Sequence, residues 1–369
     1  MSVVSYKCPH CGGGLNYSPG VGFKCEYCLS VMTKEQLSAL TDGDIGEDAG
    51  KVEGASDVPA GEGSAAKETG KPEPSAGKSG EALEYECPSC GAHIITDATT
   101  AATNCHYCHN PVVLASNLGG EFKPDGVIAF KIDRKKAVEM FKQHCSGKPF
   151  LPKDFYSEDQ IENLCGVYYP YWLVDAKVDG KLTARGEIDR VTRQGDDRVV
   201  DTAVYDIERS GIINLDNITS IALKKGDQLI LKYILPFKTE ELQDFSMQYL
   251  SGFRAEKRDI ERKDLQTEVD QRKLRYTESL LSSEVSGYTR VSGADLEAKT
   301  VEENWKYALL PVWILTYKYN GETYVYGING QTGKSYGSLP INKRKLALSS
   351  ILIGILAAVF ALLIGGMFF

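Results

Sequence analysis

The chain has 369 residues, enough for two or three domains, and its formal net charge is −8. Residues 42–86 contain twelve acidic residues and four lysines, so this segment accounts for the whole negative charge and the rest of the chain is neutral. Neutral folded parts argue against binding to nucleic acid through a broad basic surface. The first residues, MSVVSYKCPHC, lack the apolar segment of a secretory signal peptide.

Residues 1–40 are predicted to form a first zinc ribbon. Eight of the ten cysteines form four Cys-x-x-Cys pairs, which favours zinc in a reducing compartment over disulfides. The four ligands predicted for this ribbon are Cys8, Cys11, Cys25 and Cys28. A glycine after Cys11 permits the positive φ that such a turn needs. Because so small a module buries little apolar surface, we expect a structural zinc ion to drive its folding.

Residues 41–84 are predicted to be a disordered acidic linker. They combine Gly, Ala, Ser, Pro and acidic residues with almost no large apolar side chain. Gly77-Lys78-Ser79 is not a phosphate-binding loop, because Pro72 stands where the motif requires glycine and no apolar strand precedes it. A random coil of this length spans about 37 Å, which predicts that the first ribbon moves freely relative to the second.

Residues 85–118 repeat the first ribbon and are predicted to bind a second structural zinc ion. The four predicted ligands are Cys87, Cys90, Cys105 and Cys108. His93, His106 and His109 lie near them as alternative ligands, although four complete thiolates favour an all-cysteine site. Residues 84–118 contain three acidic residues and no Lys or Arg, so this ribbon is predicted to repel nucleic acid.

Residues 121–341 are predicted to be a duplicated α+β domain in which a helix is followed by an antiparallel meander. The repeats are expected at about 127–220 and 234–341. The segment Tyr169–Gly180 aligns with Leu310–Gly321, so that a proline, a tryptophan, a lysine and a glycine coincide.

The elements of each repeat are predicted from local patterns. The first helix is expected over Asp133–His144 and the second over Glu240–Leu250. Strands follow each helix, with turns predicted at Asp179–Gly180, Ser210–Gly211, Asn320–Gly321 and Gln331–Gly333. A further helical stretch at about Ala255–Ser283 is polar nearly all round, which is typical of a solvated helix and leaves a partner-binding helix as the alternative.

The other chemistry-bearing residues of this domain have structural interpretations. Trp172 and Trp313 occupy equivalent positions and are predicted to be core anchors, with an aromatic binding platform as the alternative. Cys145 and Cys165 are predicted to be buried thiols, with a redox pair as the alternative. His144 adjoins Cys145, but adjacent helix positions diverge and do not form a nucleophile and base. No nucleotide-binding, protease or hydrolase motif is present.

The last stretch, Leu346–Phe369, contains no charged residue in 24 positions. A helix of that length reaches about 36 Å, enough to cross a ~30 Å hydrocarbon core. Lys343, Arg344 and Lys345 precede it and predict that the folded part lies in the cytoplasm. The alternative is a buried core helix.

The chain resembles a group of bacterial zinc-ribbon membrane proteins. The resemblance covers about residues 85–341. The sequence segments that carry it are the Cys-Pro-x-Cys-Gly and Cys-x-Tyr-Cys motifs of the ribbon, GVIAFKIDRKKAVEMF, LPKDF, GVYYPYWLVDAKVDG and YALLPVWILTYKYNGETYVYGINGQTGK. These proteins are labelled TFIIB-type (transcription factor IIB) zinc-ribbon proteins, or by analogy with the replication-restart helicase PriA. The resemblance implies zinc binding by Cys87, Cys90, Cys105 and Cys108, with the first ribbon as an extra copy. A helicase motor is not implied, because the chain lacks its phosphate-binding motifs.

The sequence therefore predicts an α+β protein with two zinc ribbons, a duplicated α+β domain and one C-terminal transmembrane helix. The predicted function is a non-enzymatic scaffold or adaptor at the cell membrane that binds a protein partner and contacts lipid through Leu346–Phe369. A nucleic-acid-associated factor of replication restart or transcription is the first alternative. An enzyme with a site between the two repeats is the second.

Overall fold

The computed structural model describes residues 3–41, 82–152, 161, 163–195, 197–319 and 321–365. It is a mixed α+β structure that consists mostly of sheet. The strands are β1 Leu15–Ser18, β2 Gly22–Cys25, β3 Val31–Met32, β4 Ala82–Glu86, β5 His93–Asp97, β6 Thr100–Asn104, β7 Pro111–Val113, β8 Gly126–Val127, β9 Cys165–Gln194, β10 Asp197–Ile221, β11 Gln243–Asp244, β12 Arg254–Glu256, β13 Arg290–Tyr319, β14 Glu322–Asn329 and β15 Ser335–Gly337. The helices are α1 Lys34–Thr41, α2 Arg134–Cys145, α3 Gln228–Tyr233, α4 Arg262–Ser283 and α5 Lys343–Gly365.

A ten-stranded sheet forms the body of the molecule. Its centre is the antiparallel pair of β9 and β13, each 30 residues long. Apolar and polar residues alternate along β9, so that Val174, Val178 and Leu182 are buried on one face while charged residues occupy the other. The outer ends of β9, β10 and β13 continue beyond the core as a three-stranded arm, and α4 packs on one face of that arm.

The two halves of the body make matching contacts about an approximate twofold axis. Tyr169 lies directly opposite Leu310, the residue with which it aligns in sequence. Trp172 Nε1 donates to the carbonyl of Ile260, 3.0 Å away, just before α4 begins, and Trp313 Nε1 donates to the carbonyl of Ile132, 2.9 Å away, just before α2 begins.

Backbone contacts repeat the same relation. The N–H of Ala222 donates to Pro170, and the N–H of Gly330 donates to Pro311. The carbonyl of Ala222 accepts from Ile260, and that of Gly330 accepts from Ile132. β12 pairs in parallel with β9, just as β8 pairs in parallel with β13. The matching part of the second half therefore begins at β12, and its helix is α4.

Several predicted elements were wrong. Glu240–Leu250 is not an α-helix but two short 3₁₀ turns separated by β11. The helix predicted from Ala255 begins only at Arg262, because the preceding residues pair as β12. β9 and β10 run straight through the turns predicted at Asp179–Gly180 and Ser210–Gly211.

Gly180 in β9 serves packing and not turning. A Cβ at Gly180 would lie 2.7 Å from Thr277 and 3.2 Å from Leu281, so the glycine lets α4 approach the sheet. The turn at Gln331–Gly333 is confirmed. Gly333 has φ 82°, and its N–H donates a hydrogen bond to the carbonyl of Asn329.

Both ribbons are attached to the body. In the second ribbon, β6 pairs with β12 and β7 pairs with β6, so the ten-stranded sheet extends across the predicted boundary at residue 118. The first ribbon carries its own three-stranded sheet and packs against residues 248–253. The expectation that the first ribbon moves freely was therefore wrong. Most of the predicted linker, 41–84, lies outside the described residues, and its last residues belong to β4.

The C-terminal helix α5 presents its described apolar side chains to solvent. Those more than one-third exposed are Leu346, Leu348, Ile351, Leu352, Ile353, Ile355, Leu356, Val359 and Phe360. Within the described part of the chain, we find no helix with both the length and the apolar character needed to cross a membrane. The predicted span at Leu346–Phe369 consequently has no support from this observation.

Candidate metal centres and junction cleft

The eight predicted ligands converge into two four-thiol clusters. In the first ribbon, Cys8 Sγ lies 3.5 Å from Cys28 Sγ, and Cys11 Sγ lies 3.5 Å from Cys25 Sγ. All four sulfur atoms lie within 4.8 Å of one another.

The second cluster has the same form. Cys87 Sγ lies 3.7 Å from Cys108 Sγ, and Cys90 Sγ lies 3.7 Å from Cys105 Sγ. The first cysteine of every pair is buried, whereas the second is exposed or half-buried. Each cluster thus faces solvent on one side and is anchored to its ribbon on the other.

The geometry fits a tetrahedral metal ion. Zinc binds thiolate at about 2.3 Å, and sulfur atoms at the corners of such a tetrahedron lie about 3.8 Å apart. The observed separations are close to that value. Since four thiolates complete the tetrahedron, neither cluster keeps an open position for substrate, and both have the form of structural sites. His93 does not belong to a cluster, because its Nδ1 lies 2.9 Å from Glu84.

Each cysteine pair sits in a turn closed by backbone hydrogen bonds. The N–H of Gly12 donates to the carbonyl of Cys8 at 2.8 Å, and the N–H of Leu29 donates to that of Cys25 at 3.0 Å. Gly91 and His109 make the same bonds in the second ribbon. All four of these donor residues have positive φ.

Two of these positions depart from the expected residue type. Leu29 has φ 60° and His109 has φ 57°, a region that is uncommon for residues other than glycine and that leucine adopts less readily than histidine. The fold therefore imposes a strained turn after the second cysteine pair of each ribbon. The glycine signal in the sequence marks only the first pair.

Ser30 is a ligand-supporting residue that the sequence patterns did not indicate. Its hydroxyl lies 3.1 Å from Cys28 Sγ and 3.2 Å from Cys8 Sγ. The hydrogen bond between Ser30 and Cys28 lowers the pKa of Cys28 to about 6. In the second ribbon, burial raises the pKa of Cys105, but the N–H groups of Cys108 and Tyr107 outweigh that effect and bring it to about 7. Both contacts favour the thiolate form that binds metal.

The two ribbons lie against each other. Val4 and Val113 exchange two backbone hydrogen bonds of 2.9 Å, and Lys7 Nζ donates to the carbonyl of Pro88 at 3.5 Å. A Cβ at Gly14 would lie 2.7 Å from Pro111, which shows how closely the backbones approach. The two ribbons are thus in direct contact.

Both ribbons expose aromatic and apolar side chains. Tyr27 and Tyr107, the tyrosines of the two Cys-x-Tyr-Cys motifs, are 70% and 73% exposed. On the first ribbon Leu29, Val31 and Val21 are also exposed. We call Tyr27, Tyr107, Leu29, Val31 and Val21 the ribbon patch. Its composition is typical of a protein-binding surface, because aromatic side chains there carry most of the binding energy.

A cleft lies at the junction of the two halves. Its lining residues, drawn from the two halves, the second ribbon and the loops between them, are Asn104, Arg134, Asn163, Leu164, Cys165, Gly166, Val167, Tyr169, Lys225, Gly252, Phe253, Arg254, Glu256, Trp313, Ile314 and Thr316. Arg254 is exposed, while Lys225 lies between Asp97 at 2.5 Å and Glu256 at 3.5 Å. The cleft is polar and carries more positive than negative charge.

Cys165 is not an activated nucleophile in this cleft. Burial raises its pKa, and the positive charges of Arg254 and Arg134 offset this only in part. Burial also raises the pKa of Cys145, to about 11, and a neighbouring positive charge on Lys148 lowers it less. Both thiols are therefore protonated near neutral pH, which favours their interpretation as packing residues.

Trp172 and Trp313 lie in the core, as the sequence predicts. They are 5% and 4% exposed, and each donates its indole N–H to a backbone carbonyl. Arg258 stacks over Trp172 at 5.2 Å, and Phe130 lies 5.2 Å from Trp313. Neither indole is free to form a binding platform.

Comparison with curated proteins finds a relative that is 31% identical over 354 residues, the uncharacterized protein YdjG of Bacillus subtilis (strain 168). The alignment covers 94% of this chain and 92% of the relative. No protein-family model matches the chain, and no solved structure matches it. These comparisons give no support to the TFIIB-type or PriA labels.

Proposed function

The chain belongs to the same family as YdjG of Bacillus subtilis, and we propose that it is a zinc-dependent scaffold or adaptor that binds a protein partner at a membrane. The observation that carries the proposal is the pairing of two complete four-thiol clusters with an exposed apolar ribbon patch. Metal ions without an open coordination position maintain a surface and do not transform a substrate. That surface is built by ribbons that are packed together and fixed to the body.

Zinc is the metal that this proposal assigns to both clusters. Thiolate ligands are soft, and a tetrahedral four-sulfur set is typical of zinc or of iron–sulfur chemistry. We expect two zinc ions per chain by elemental mass spectrometry of the purified protein. Iron in place of zinc, or markedly fewer than two metal ions, would contradict the assignment.

The partner contact is tested by photo-crosslinking in cells. A photoreactive phenylalanine analogue in place of Tyr27 or of Tyr107 is expected to capture the same protein, because the two ribbons are in direct contact. The same replacement at Tyr233, which is 50% exposed on α3, is the control and should not capture it. Equal capture from Tyr233, or no capture from either ribbon, would overturn the proposal.

The membrane anchor rests on sequence and on surface character. Leu346–Phe369 contains no charged residue, and the apolar side chains described for α5 are exposed. Lys343, Arg344 and Lys345 favour a cytoplasmic folded part. The full chain is expected to remain in membranes washed with alkaline carbonate, and the variant L352D/V359D should be released. Release of the unmodified chain would refute the anchor while leaving the ribbon proposal intact.

The junction cleft favours a second candidate function, an anion-binding or catalytic site between the two halves. Its polar lining comes from both halves, and its charge suits a small carboxylate or phosphate compound. Thermal-shift measurements with inorganic phosphate and small dicarboxylates test it. Stabilisation that R254A removes and R185A, on the distant arm, retains would support this function. Equal responses of the two variants would argue against it.

A further inference from the structure

The outer edge of β10 is a long strand edge without a neighbour in the part of the chain that the structure describes. β10 has 25 residues and pairs only with β9. Its inward side chains, such as Ile207 and Leu215, are buried at 3% and 6% exposure. A long edge strand with free backbone groups pairs readily with a further strand, and proteins usually shorten or cover such edges.

The charges along β10 select a second copy of the same strand as its partner. Two copies that pair antiparallel about an axis perpendicular to the sheet keep α4 on the same face of both. When Ala203 lies on that axis, Arg198 faces Glu208 of the other copy and Asp197 faces Arg209, each twice per dimer. Among the registers of this kind, this one alone forms two different opposite-charge pairs.

The neighbouring positions fit the same register. Val199 lies opposite Ile207, which joins two β-branched side chains on the face that α4 covers. Glu208 already binds Lys181 at 3.0 Å, so Arg198 of the second copy would extend an existing row of charges across the interface. The paired stretch, residues 197–209, spans about 43 Å at 3.3 Å per residue.

We propose that the chain forms a twofold dimer through antiparallel pairing of β10 with β10 of a second copy, centred on Ala203. The two arms then form one continuous six-stranded sheet. Each arm supplies the strand that covers the edge of the other, and the ribbon patches lie at opposite ends of the assembly.

A charge exchange tests the register in the full-length protein. Sedimentation velocity of the detergent-solubilised protein at micromolar concentration should show a dimer for the unmodified chain. We expect E208R and R198E each to weaken dimerisation by about tenfold or more, and the double variant R198E/E208R to restore it to within about threefold. A monomeric unmodified chain, or a double variant no better than the single variants, would overturn the proposal.

A disulfide tests the axis independently. Residues on a twofold axis between antiparallel strands have Cβ atoms about 4.5–5.5 Å apart, so a shift of about 1 Å brings the two thiols of A203C within disulfide distance. The control is T192C, which lies opposite Val199 on β9 and therefore on the side of β10 away from the proposed interface. Under oxidation too mild to link the unmodified chain, A203C should form a covalent dimer and T192C should not. Equal linking of both variants, or a link from A203C to a different protein, would refute a dimer of this geometry.

Discussion

The two ribbons have nearly the same metal-binding geometry but are attached to the body in different ways. Their sulfur–sulfur distances differ by only 0.2 Å, and their turns close through the same backbone bonds. The second ribbon contributes strands β6 and β7 to the ten-stranded sheet. The first ribbon keeps a separate sheet, and its buried side chains, such as Leu15 and Phe23, pack into the same apolar core as those of the body.

The first ribbon contacts the body through residues that are far apart in the sequence. The N–H of Tyr17 donates to the carbonyl of Ser251 at 2.9 Å, and the hydroxyl of Ser251 donates to the carbonyl of Leu15. The ring of Tyr17 packs edge-on against Tyr249 at 5.4 Å, and Lys34 lies 4.8 Å above that ring. An identical metal site can therefore be integral to one sheet and peripheral to another, and the connectivity of the flanking strands decides which.

The largest expected effect distinguishes the two clusters. Cys105 and Cys25 are both fully buried and occupy equivalent positions. Zinc binding in small modules is worth about 10–16 kcal/mol, which equals or exceeds the stability of a typical domain. C105S should therefore lower the melting temperature of the whole body, whereas C25S should unfold the first ribbon and destabilise the body less, because it leaves the strands of the ten-stranded sheet paired. Hydrogen exchange along β9 and circular dichroism measure the difference.

The control for this pair is the metal content. Each variant should lose one of two metal ions, so unequal metal loss would show that the comparison is not matched. Equal damage to β9 in both variants would contradict the difference in attachment.

The next effect concerns the two halves of the body. Unlike the two ribbons, the two halves make matching contacts. W172F and W313F each remove an indole N–H from a backbone carbonyl at the start of a helix. Since an acceptor is left unsatisfied and a small cavity opens, each variant should lose about 1–3 kcal/mol in urea denaturation.

The third tryptophan is the control for that pair. The indole of Trp305 donates to the partly exposed carboxylate of Glu303, so W305F should lose less stability than the other two variants. A neutral W172F beside a strongly destabilised W313F would contradict the twofold relation.

Residue spacing predicted the metal sites but could not predict this attachment. The four Cys-x-x-Cys pairs determine which sulfur atoms converge, because the turn around each pair is a local structure. The contact of Ser251 with Leu15 joins residues 236 positions apart, and no local pattern encodes it. The prediction of a helix at Glu240–Leu250 was wrong for a related reason. The apolar spacing in Glu240–Leu250 is compatible with a helix, but Tyr249 is drawn into packing against the first ribbon.

A smaller effect tests the attachment of the first ribbon directly. S251A removes one hydroxyl hydrogen bond to Leu15 and should weaken docking by about 1 kcal/mol. The amide of Tyr17 is expected to exchange with solvent about fivefold faster, while β9 is unchanged. S246A is the control, because the side chain of Ser246 caps no helical turn. An unchanged Tyr17 amide in S251A would show that the aromatic contacts alone hold the ribbon.

The smallest expected effect lies within the turns that the two ribbons share. Gly12 has φ 74° and open space around it, so G12A should lose about 1 kcal/mol of stability through backbone strain alone. Leu29 has the same backbone geometry and a side chain 65% exposed, so L29G relieves strain without removing buried surface and should gain up to about 1 kcal/mol. Resistance of the first cluster to a zinc chelator measures both variants. If L29G releases zinc as readily as G12A does, backbone strain at Leu29 does not limit the stability of the first cluster.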